Sequence, residues 1–222
     1  MTSAIAKTLY AVVMGDIVES EQAPSKRVLH DHFNTAIDAA NRNHADVIAS
    51  PMTITLGDEF QGVVMSRGSA FKVVHDLRLC LLRHNVQCRF VIGDFKPETP
   101  INPDRAWNML GKGLAEARER LAEKTDPNAY RFVLGDEPAS SALLDAAGSS
   151  LTFLEGGWTR TQRAHVLAHF LDRLSVRQIA NQNGTTERAV YKVLGAAHLN
   201  LYRTQLQAIE GFLRDCSQQP DP

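Results

Sequence analysis

The sequence predicts an α+β protein that ends in an all-helical module. Up to residue 135, segments rich in Val, Ile and Tyr alternate with segments whose apolar residues recur at helical spacing. This alternation is typical of a mixed sheet backed by helices. After the Gly-Gly-Trp at 156–158, almost every segment has helical spacing. We therefore expect an α+β domain at 1–155, a helical domain at 156–216 and a polar tail at 217–222.

The first elements are predicted in the order strand, helix, hairpin, helix, strand. Ser25 is a suitable N-cap for the first helix, and Gly57-Asp58-Glu59-Phe60 is the hairpin turn. Further along, the spacing predicts a helix over 105–124, a short strand over 129–135 and helical structure around 140–147. The predicted strands lie at 8–18, 52–56, 61–66 and 87–95, and the helices between them at 25–43 and 69–85.

Composition indicates a globular protein. Of 222 residues, 44% are hydrophobic and 22% charged, and the formal net charge is −1. The three cysteines form no closely spaced pair, so neither a zinc site nor a disulfide framework is expected. The N-terminal apolar run is too short to span a membrane, and Asp16 argues against a secretory signal. We expect a cytoplasmic protein without membrane contact.

Positive charge is concentrated near the C-terminus. Residues 158–214 carry eight Lys and Arg against three acids, a difference of +5, while the rest of the chain is acidic. This layout is common in nucleic-acid binders. The alternative, given equal weight, is that these Arg residues simply lie on solvated helix faces and do not indicate nucleic-acid binding.

Two carboxylates occupy matching places in the predicted sheet. Asp16 ends the first strand, and Asp58, followed by Glu59, lies at the hairpin tip. If the first strand pairs with the hairpin, these side chains lie close together. Neighbouring carboxylates repel unless a cation lies between them. Mg²⁺ binds through one or two carboxylates plus water and phosphate oxygens, so a metal-bound nucleotide and simple turn residues are equally weighted interpretations of this pattern.

The segments "VVMGDIVES" and "ITLGDEFQGVV" resemble the two metal-binding segments of class III nucleotidyl cyclases, and the hairpin also resembles the turn of GGDEF diguanylate cyclases. The resemblance implies a ferredoxin-like palm fold. It also implies that Mg²⁺ or Mn²⁺ is held by Asp16, the Ile17 carbonyl and Asp58, with Glu59 adjacent.

A later helix, "LGKGLAEARERL", resembles the cyclase helix that carries an Asn and an Arg. Arg118 is the candidate catalytic Arg, but Leu114 stands at the position of the Asn. This departure makes an active enzyme the less favoured interpretation, although metal or nucleotide binding remains expected.

The C-terminal segments "VRQIANQNG" and "TTERAVYKVL" have the pattern of a helix-turn-helix, with Ala180 at the helix crossing, Gly184 at the turn and Val190 returning to the core. They resemble region four of sigma factors and LuxR-type modules. A three-helix bundle used for dimerisation is the alternative. In a DNA complex, Arg177 would contact phosphate and the third helix would enter the major groove. Its exposed positions would be Thr185, Thr186, Glu187, Arg188, Tyr191 and Lys192.

The order of "YAVVMGDIVES", "GDEFQG", "RFVIGDF", "KGLAEARERL" and "WTRTQ" followed by a helix-turn-helix resembles the SatD family across the whole chain. The resemblance implies a bacterial protein with a palm-like N-terminal domain and a C-terminal module like those that bind DNA. On this basis we expect a DNA-binding transcriptional regulator whose palm domain binds a nucleotide, a divalent metal or both. One alternative is an active nucleotidyl cyclase or related metal-dependent phosphoryl-transfer enzyme, and another is a non-catalytic adaptor. We expect a homodimer, because one module buries little DNA surface. The apolar stripe of the last helix would either form the dimer interface or pack on the rest of the same chain.

Overall fold

The structure, a computed structural model, describes residues 9–22 and 24–215. The predicted polar tail at 217–222 lies outside these residues. In the described part, six strands, a 3₁₀ turn at Ser20–Gln22 and eight α-helices follow one another. They are β1 Tyr10–Ile17, α1 Lys26–Asn43, β2 Ile48–Leu56, β3 Glu59–Val64, α2 Arg67–Arg83, β4 Cys88–Pro97, β5 Gly111–Lys112, α3 Leu114–Ala122, β6 Tyr130–Val133, α4 Pro138–Gly157, α5 Arg160–Phe170, α6 Val176–Gln182, α7 Glu187–Ala196 and α8 Leu199–Asp215.

The central sheet has the strand order β2-β3-β1-β4, and every neighbouring pair in it is antiparallel. With α1 between β1 and β2 and α2 between β3 and β4, this is the βαββαβ unit of the ferredoxin-like fold. β6 extends the sheet parallel to β4, and β5 pairs with the last residues of β4. The predicted α+β class and palm topology are confirmed.

The two faces of this sheet bury different cores. Alternation along β1 directs Ala11 and Val13 toward α1 and α2, and Val12 and Met14 toward α3 and the loop at 98–110. Asp16 follows the second set in register. The candidate carboxylate therefore lies on the face that α3 and this loop partly cover.

Local chemistry explains where the palm elements begin and turn. The Ser25 side chain accepts a hydrogen bond from the Val28 amide and caps α1, as predicted. Gly57 adopts φ +57°, which the first position of a two-residue hairpin turn requires. These features place Asp58 at the tip between β2 and β3.

The helix predicted over 105–124 forms only from Leu114 onward, so its first half is wrong. Gly111 instead pairs with Pro97 in β5, and Gly113 adopts φ +100°. A Cβ on Gly113 would lie 1.7 Å from the carbonyl oxygen of Asp94. The backbone therefore passes too close to β4 for a helix to start earlier.

The C-terminal helices pack directly on the palm. One apolar core runs from the sheet into α5–α8, and the indole of Trp158 donates to the Ala197 carbonyl at 3.0 Å. The division at 155 and 156 stays a prediction, and α4 continues across it. The α8 stripe is buried against α2 and α4 of the same chain, which is the second of the two alternatives given for it, packing on the rest of the chain. Its buried members are Leu199, Tyr202, Leu206, Ile209 and Leu213.

Candidate functional site

The candidate site begins where β1 meets the β2–β3 hairpin. Asp16 and Glu59 are partners in the β1–β3 ladder, and the Ile17 amide donates to the Asp58 carbonyl at 3.1 Å. The Asp58 carboxylate accepts from the Ser20 hydroxyl at 2.6 Å. The structure thus brings the two predicted aspartates to adjoining positions, as the strand order implied.

Asp16 is paired with two cations, Lys124 and Arg89, that were not predicted as site residues. Its carboxylate is only 4% exposed. One oxygen, Oδ2, contacts the Lys124 ammonium, and the other, Oδ1, lies 3.5 Å from Arg89 Nε. Oδ1 is buried and accepts no hydrogen bond from the described residues. A buried carboxylate needs such opposite charge, because leaving it unpaired costs several kcal/mol.

Lys124 is carried by a short segment between α3 and β6 that Arg131 holds in place. The Arg131 side chain is fully buried and donates to backbone carbonyls on both sides of Lys124. Arg89 also donates to the Lys124 carbonyl, at 3.3 Å. Burial and the Arg131 guanidinium lower the pKa of Lys124. The carbonyls that Arg131 contacts belong to Arg120, Glu123, Asp126 and Asn128.

Arg118, the candidate catalytic residue, lies on the same face of the sheet as Asp16. It is exposed on α3, and one guanidinium nitrogen donates to the Gln61 side chain at 3.3 Å. Gln61 pairs with Met14, two residues before Asp16 on β1. The Glu59 side chain shares this face by alternation. Three candidate side chains, those of Asp16, Glu59 and Arg118, therefore belong to one face of the sheet, together with Lys124 and Arg89. Asp58 lies in the adjoining turn, where its carboxylate contacts the Ser20 hydroxyl.

The donor set fits a hard divalent cation. Mg²⁺ and Mn²⁺ take carboxylate and carbonyl oxygens, and Asp16 Oδ1 is a carboxylate oxygen that accepts no hydrogen bond from the described residues. In the described part of the chain, no group of three or more His, Cys, Asp or Glu is placed to hold a metal. A metal here would therefore need additional oxygens from water and phosphate, as Mg²⁺ commonly uses in nucleotide sites.

The residues predicted to contact DNA lie together on the exposed surface of the C-terminal helices. Gly184 adopts φ +60° in the turn between α6 and α7, and the Thr186 hydroxyl caps α7 by accepting from the Ala189 amide. Val190 is buried beneath them. All seven predicted positions are exposed, namely Arg177, Thr185, Thr186, Glu187, Arg188, Tyr191 and Lys192.

A large cleft lies away from the aspartates. It has a volume of about 570 Å³ between α1, α2 and the start of the α5–α6 connection. Asp76, Lys72 and Arg173 line it, on the side of the sheet opposite to Asp16. The cleft is lined by neither candidate aspartate, so it is separate from the site around Asp16.

No described helix is both long and apolar enough to span a membrane.

The topology is that of a palm-type fold, like the palm domains of class III nucleotidyl cyclases. The chain belongs to the SatD family, which residues 10–212 match. No curated protein matches it.

Solved structures with a similar fold include adenylyl and guanylyl cyclase domains. A bacterial light-regulated adenylyl cyclase is 16% identical with a TM-score of 0.38 over 56% of this chain, and this match spans 42% of the cyclase chain. The guanylate cyclase domain of RhGC from Catenaria anguillulae, solved with GTP, is 15% identical with a TM-score of 0.39, over 53% of this chain and 74% of that one. The structure of adenylate cyclases from Trypanosoma brucei is 11% identical with a TM-score of 0.45, and the match covers 64% of this chain and 77% of that one. These are similarities of fold alone.

The prediction of a DNA-binding transcriptional regulator is wrong. The solved structures with a similar fold are nucleotide cyclase domains, and neither they nor the family match supports DNA as a partner. An exposed helix and turn of the predicted shape are geometric features that a purely structural module also has. The alternative prediction, a nucleotidyl cyclase or related metal-dependent phosphoryl-transfer enzyme, agrees better with these findings.

Proposed function

We propose that the protein binds a nucleoside triphosphate together with Mg²⁺ or Mn²⁺ at Asp16 and Asp58, and that it is a nucleotidyl cyclase or a related phosphoryl-transfer enzyme. The observation that carries this proposal is the buried Asp16 carboxylate. In the part of the chain that the structure describes, one of its oxygens accepts no hydrogen bond, and Asp16 adjoins the Asp58 hairpin tip. A turn residue would instead be solvated or bonded to its own loop.

Each residue of the site has a separate task in this proposal. Asp16, Asp58 and the Ile17 carbonyl would hold the metal, whose charge offsets that of a triphosphate. Glu59 is the neighbouring carboxylate on the same face. Arg118 projects from α3 over the sheet, where a guanidinium would stabilise negative charge on phosphate oxygens. Leu114, in place of the Asn of known cyclases, offers no polar contact at the start of α3.

The proposal is tested first by ligand-dependent stability. Purified protein is heated with ATP or GTP, each with and without Mn²⁺ or Mg²⁺. A ligand at about 100 times its dissociation constant stabilises a protein by about 2.7 kcal/mol. For a chain of this size, that corresponds to a rise in Tm of about 5–11 °C. We expect such a rise to require the metal and to disappear in Asp58→Asn.

Asp38→Asn is the matched control, because Asp38 is exposed on α1, on the other side of the sheet. It should leave the ligand-dependent rise unchanged. Nucleotide turnover, followed by chromatography of the products, then separates an enzyme from a binding protein. If no nucleotide raises the Tm of the wild type in the presence of either metal, the proposal is overturned and the non-catalytic adaptor becomes the better interpretation.

A further inference from the structure

We propose that Lys124 is a built-in counter-cation of the metal site. Its ammonium neutralises Asp16 in the metal-free protein, and a divalent cation must displace it in order to bind. This inference rests on the proposed metal-binding function of Asp16. It adds a side chain of the protein itself that competes with the metal for the Asp16 carboxylate. The contact between Lys124 Nζ and Asp16 Oδ2 is the observation from which it starts.

The charge balance at Asp16 shows why a competitor is needed. The carboxylate is almost wholly buried and lies between two cationic side chains, Lys124 and Arg89. A divalent cation would add two further positive charges at the same place. Like charges a few ångströms apart repel by about 1 kcal/mol per pair even at the dielectric constant of water, and by more in a partly buried site. One of the two side chains therefore has to move when a metal binds.

Lys124 is the side chain that is free to move. Its side chain is 54% exposed, whereas that of Arg89 is 10% exposed and also holds the Lys124 carbonyl. The lysine side chain has four rotatable bonds, so its ammonium can leave Asp16 without a change in the backbone. Displacement would free Asp16 Oδ2 for the metal, while Arg89 would stay near the carboxylate and keep it oriented.

The backbone around Lys124 would stay in place during this exchange. Arg131 is buried and donates to carbonyls that precede and follow Lys124. Arg120 adds contacts to the carboxylates of Asp126 and Asp145, at 2.8 and 2.7 Å. The displaced ammonium therefore remains within one side-chain length of the site. There the negative charge of a triphosphate would attract it.

The test measures Mn²⁺ binding without nucleotide, by the loss of the electron paramagnetic resonance signal of free Mn²⁺. It compares the wild type with Lys124→Met, which removes the charge, and Lys124→Arg, which keeps it. Lys112→Met is the matched control, because Lys112 is an exposed lysine on β5. The same proteins are unfolded in urea with and without Mn²⁺, which gives a readout that is independent of activity.

We expect Lys124→Met to bind Mn²⁺ about tenfold more tightly than the wild type, or better still, because a repelling charge has been removed. Without metal it should be less stable than the wild type, since Asp16 loses its closest cation, and saturating Mn²⁺ should reverse this order. Lys124→Arg and Lys112→Met should resemble the wild type. The double variant Asp16→Asn/Lys124→Met should regain stability without metal and lose Mn²⁺ binding. This control shows whether a loss of stability in Lys124→Met comes from the unpaired Asp16 carboxylate or from a general failure to fold.

The outcomes separate this inference from the proposed function. Equal Mn²⁺ affinity in the wild type and Lys124→Met would overturn the counter-cation role, while the metal site itself would stand. Failure of both proteins to bind Mn²⁺ would overturn both proposals. Binding by Lys124→Met alone would support both, and would show that Lys124 sets the metal concentration at which the site becomes active.

Discussion

Replacing Glu155 with Gln tests what joins the C-terminal helices to the palm. Glu155 lies on α4 and has no exposed surface. One carboxylate oxygen accepts from Arg78 Nε at 2.9 Å, and the other accepts from the hydroxyls of Tyr130 and Tyr202 at 2.6 and 2.7 Å. These partners come from α2, β6 and α8. Burial and the charge of Glu155 raise the pKa of both tyrosines well above its ordinary value, so both remain donors.

The expected cost follows from the charge that Glu155→Gln leaves behind. Arg78 is buried and would lose the opposite charge of Glu155, keeping neutral acceptors such as the Cys88 carbonyl at 3.2 Å. Breaking a buried ion pair by removing one charge costs about 3–5 kcal/mol. The amide of Gln also places a donor where Glu155 now only accepts. For a protein of this size, we expect Tm to fall by about 6–20 °C.

Urea unfolding followed by both circular dichroism and tryptophan fluorescence measures this loss. Trp158 suits the purpose because its ring lies 5.0 Å from that of Tyr202. Glu119→Gln is the control, since Glu119 is an exposed acid on α3. Arg78→Met/Glu155→Leu, which removes both charges, should recover much of the stability. A loss below about 1 kcal/mol in Glu155→Gln would refute the reasoning, because that is the range of an ordinary exposed pair.

Two further substitutions test local features. Gly113→Ala should cost at least about 1–3 kcal/mol in the free energy of unfolding, because of its positive φ and the clash with the Asp94 carbonyl. Gly195→Ala on α7 should cost nothing, and equal stability of the two variants in urea would contradict this. Although burial raises the pKa of Asp76, contacts that include the hydrogen bond and charge of His75 lower it overall. The ionised Asp76 carboxylate should therefore contribute fully to the free energy of unfolding above about pH 3.9. This contribution should be lost as the pH falls through the lowered pKa of Asp76. The Tm difference between wild type and Asp76→Asn should shrink in that range, and a difference that is constant with pH would rule this out.

The palm could be predicted from the sequence because its local signals agree with its tertiary packing. The cap at Ser25 and the turn at Gly57 are short-range features, and alternation in the strands indicated which side is buried. The prediction of a helix before Leu114 was wrong because the start of that helix depends on a contact that is not local. Gly113 is required by the close approach of β4, and this neighbour is distant in sequence. Helical spacing alone does not reveal such a contact.

The same distinction applies to the site. Asp16 and Asp58 could be predicted because the order of strand and hairpin places them at the same end of neighbouring strands. Lys124 lies 108 residues from Asp16, and nothing in its own segment marks it as a partner. Arg89 carried a weak signal, since it lies within a predicted strand, but its use depends on the register that pairs it with Asp16. Ion pairs of this kind follow from topology, so they appear only after the fold is known.

The buried network around Glu155 and the site around Asp16 meet on one strand. Cys88 and Arg89 are the first two residues of β4, and alternation directs their side chains to opposite faces of the sheet. Arg78 holds the Cys88 carbonyl from the helix side, while Arg89 faces Asp16 on the other side. The C-terminal helices, through Tyr202 and Glu155, therefore help to fix the strand that carries a cation of the site. A palm that had lost these helices would lose part of the support for Arg89, which argues that the helical module is a structural component of the site rather than an independent appendage.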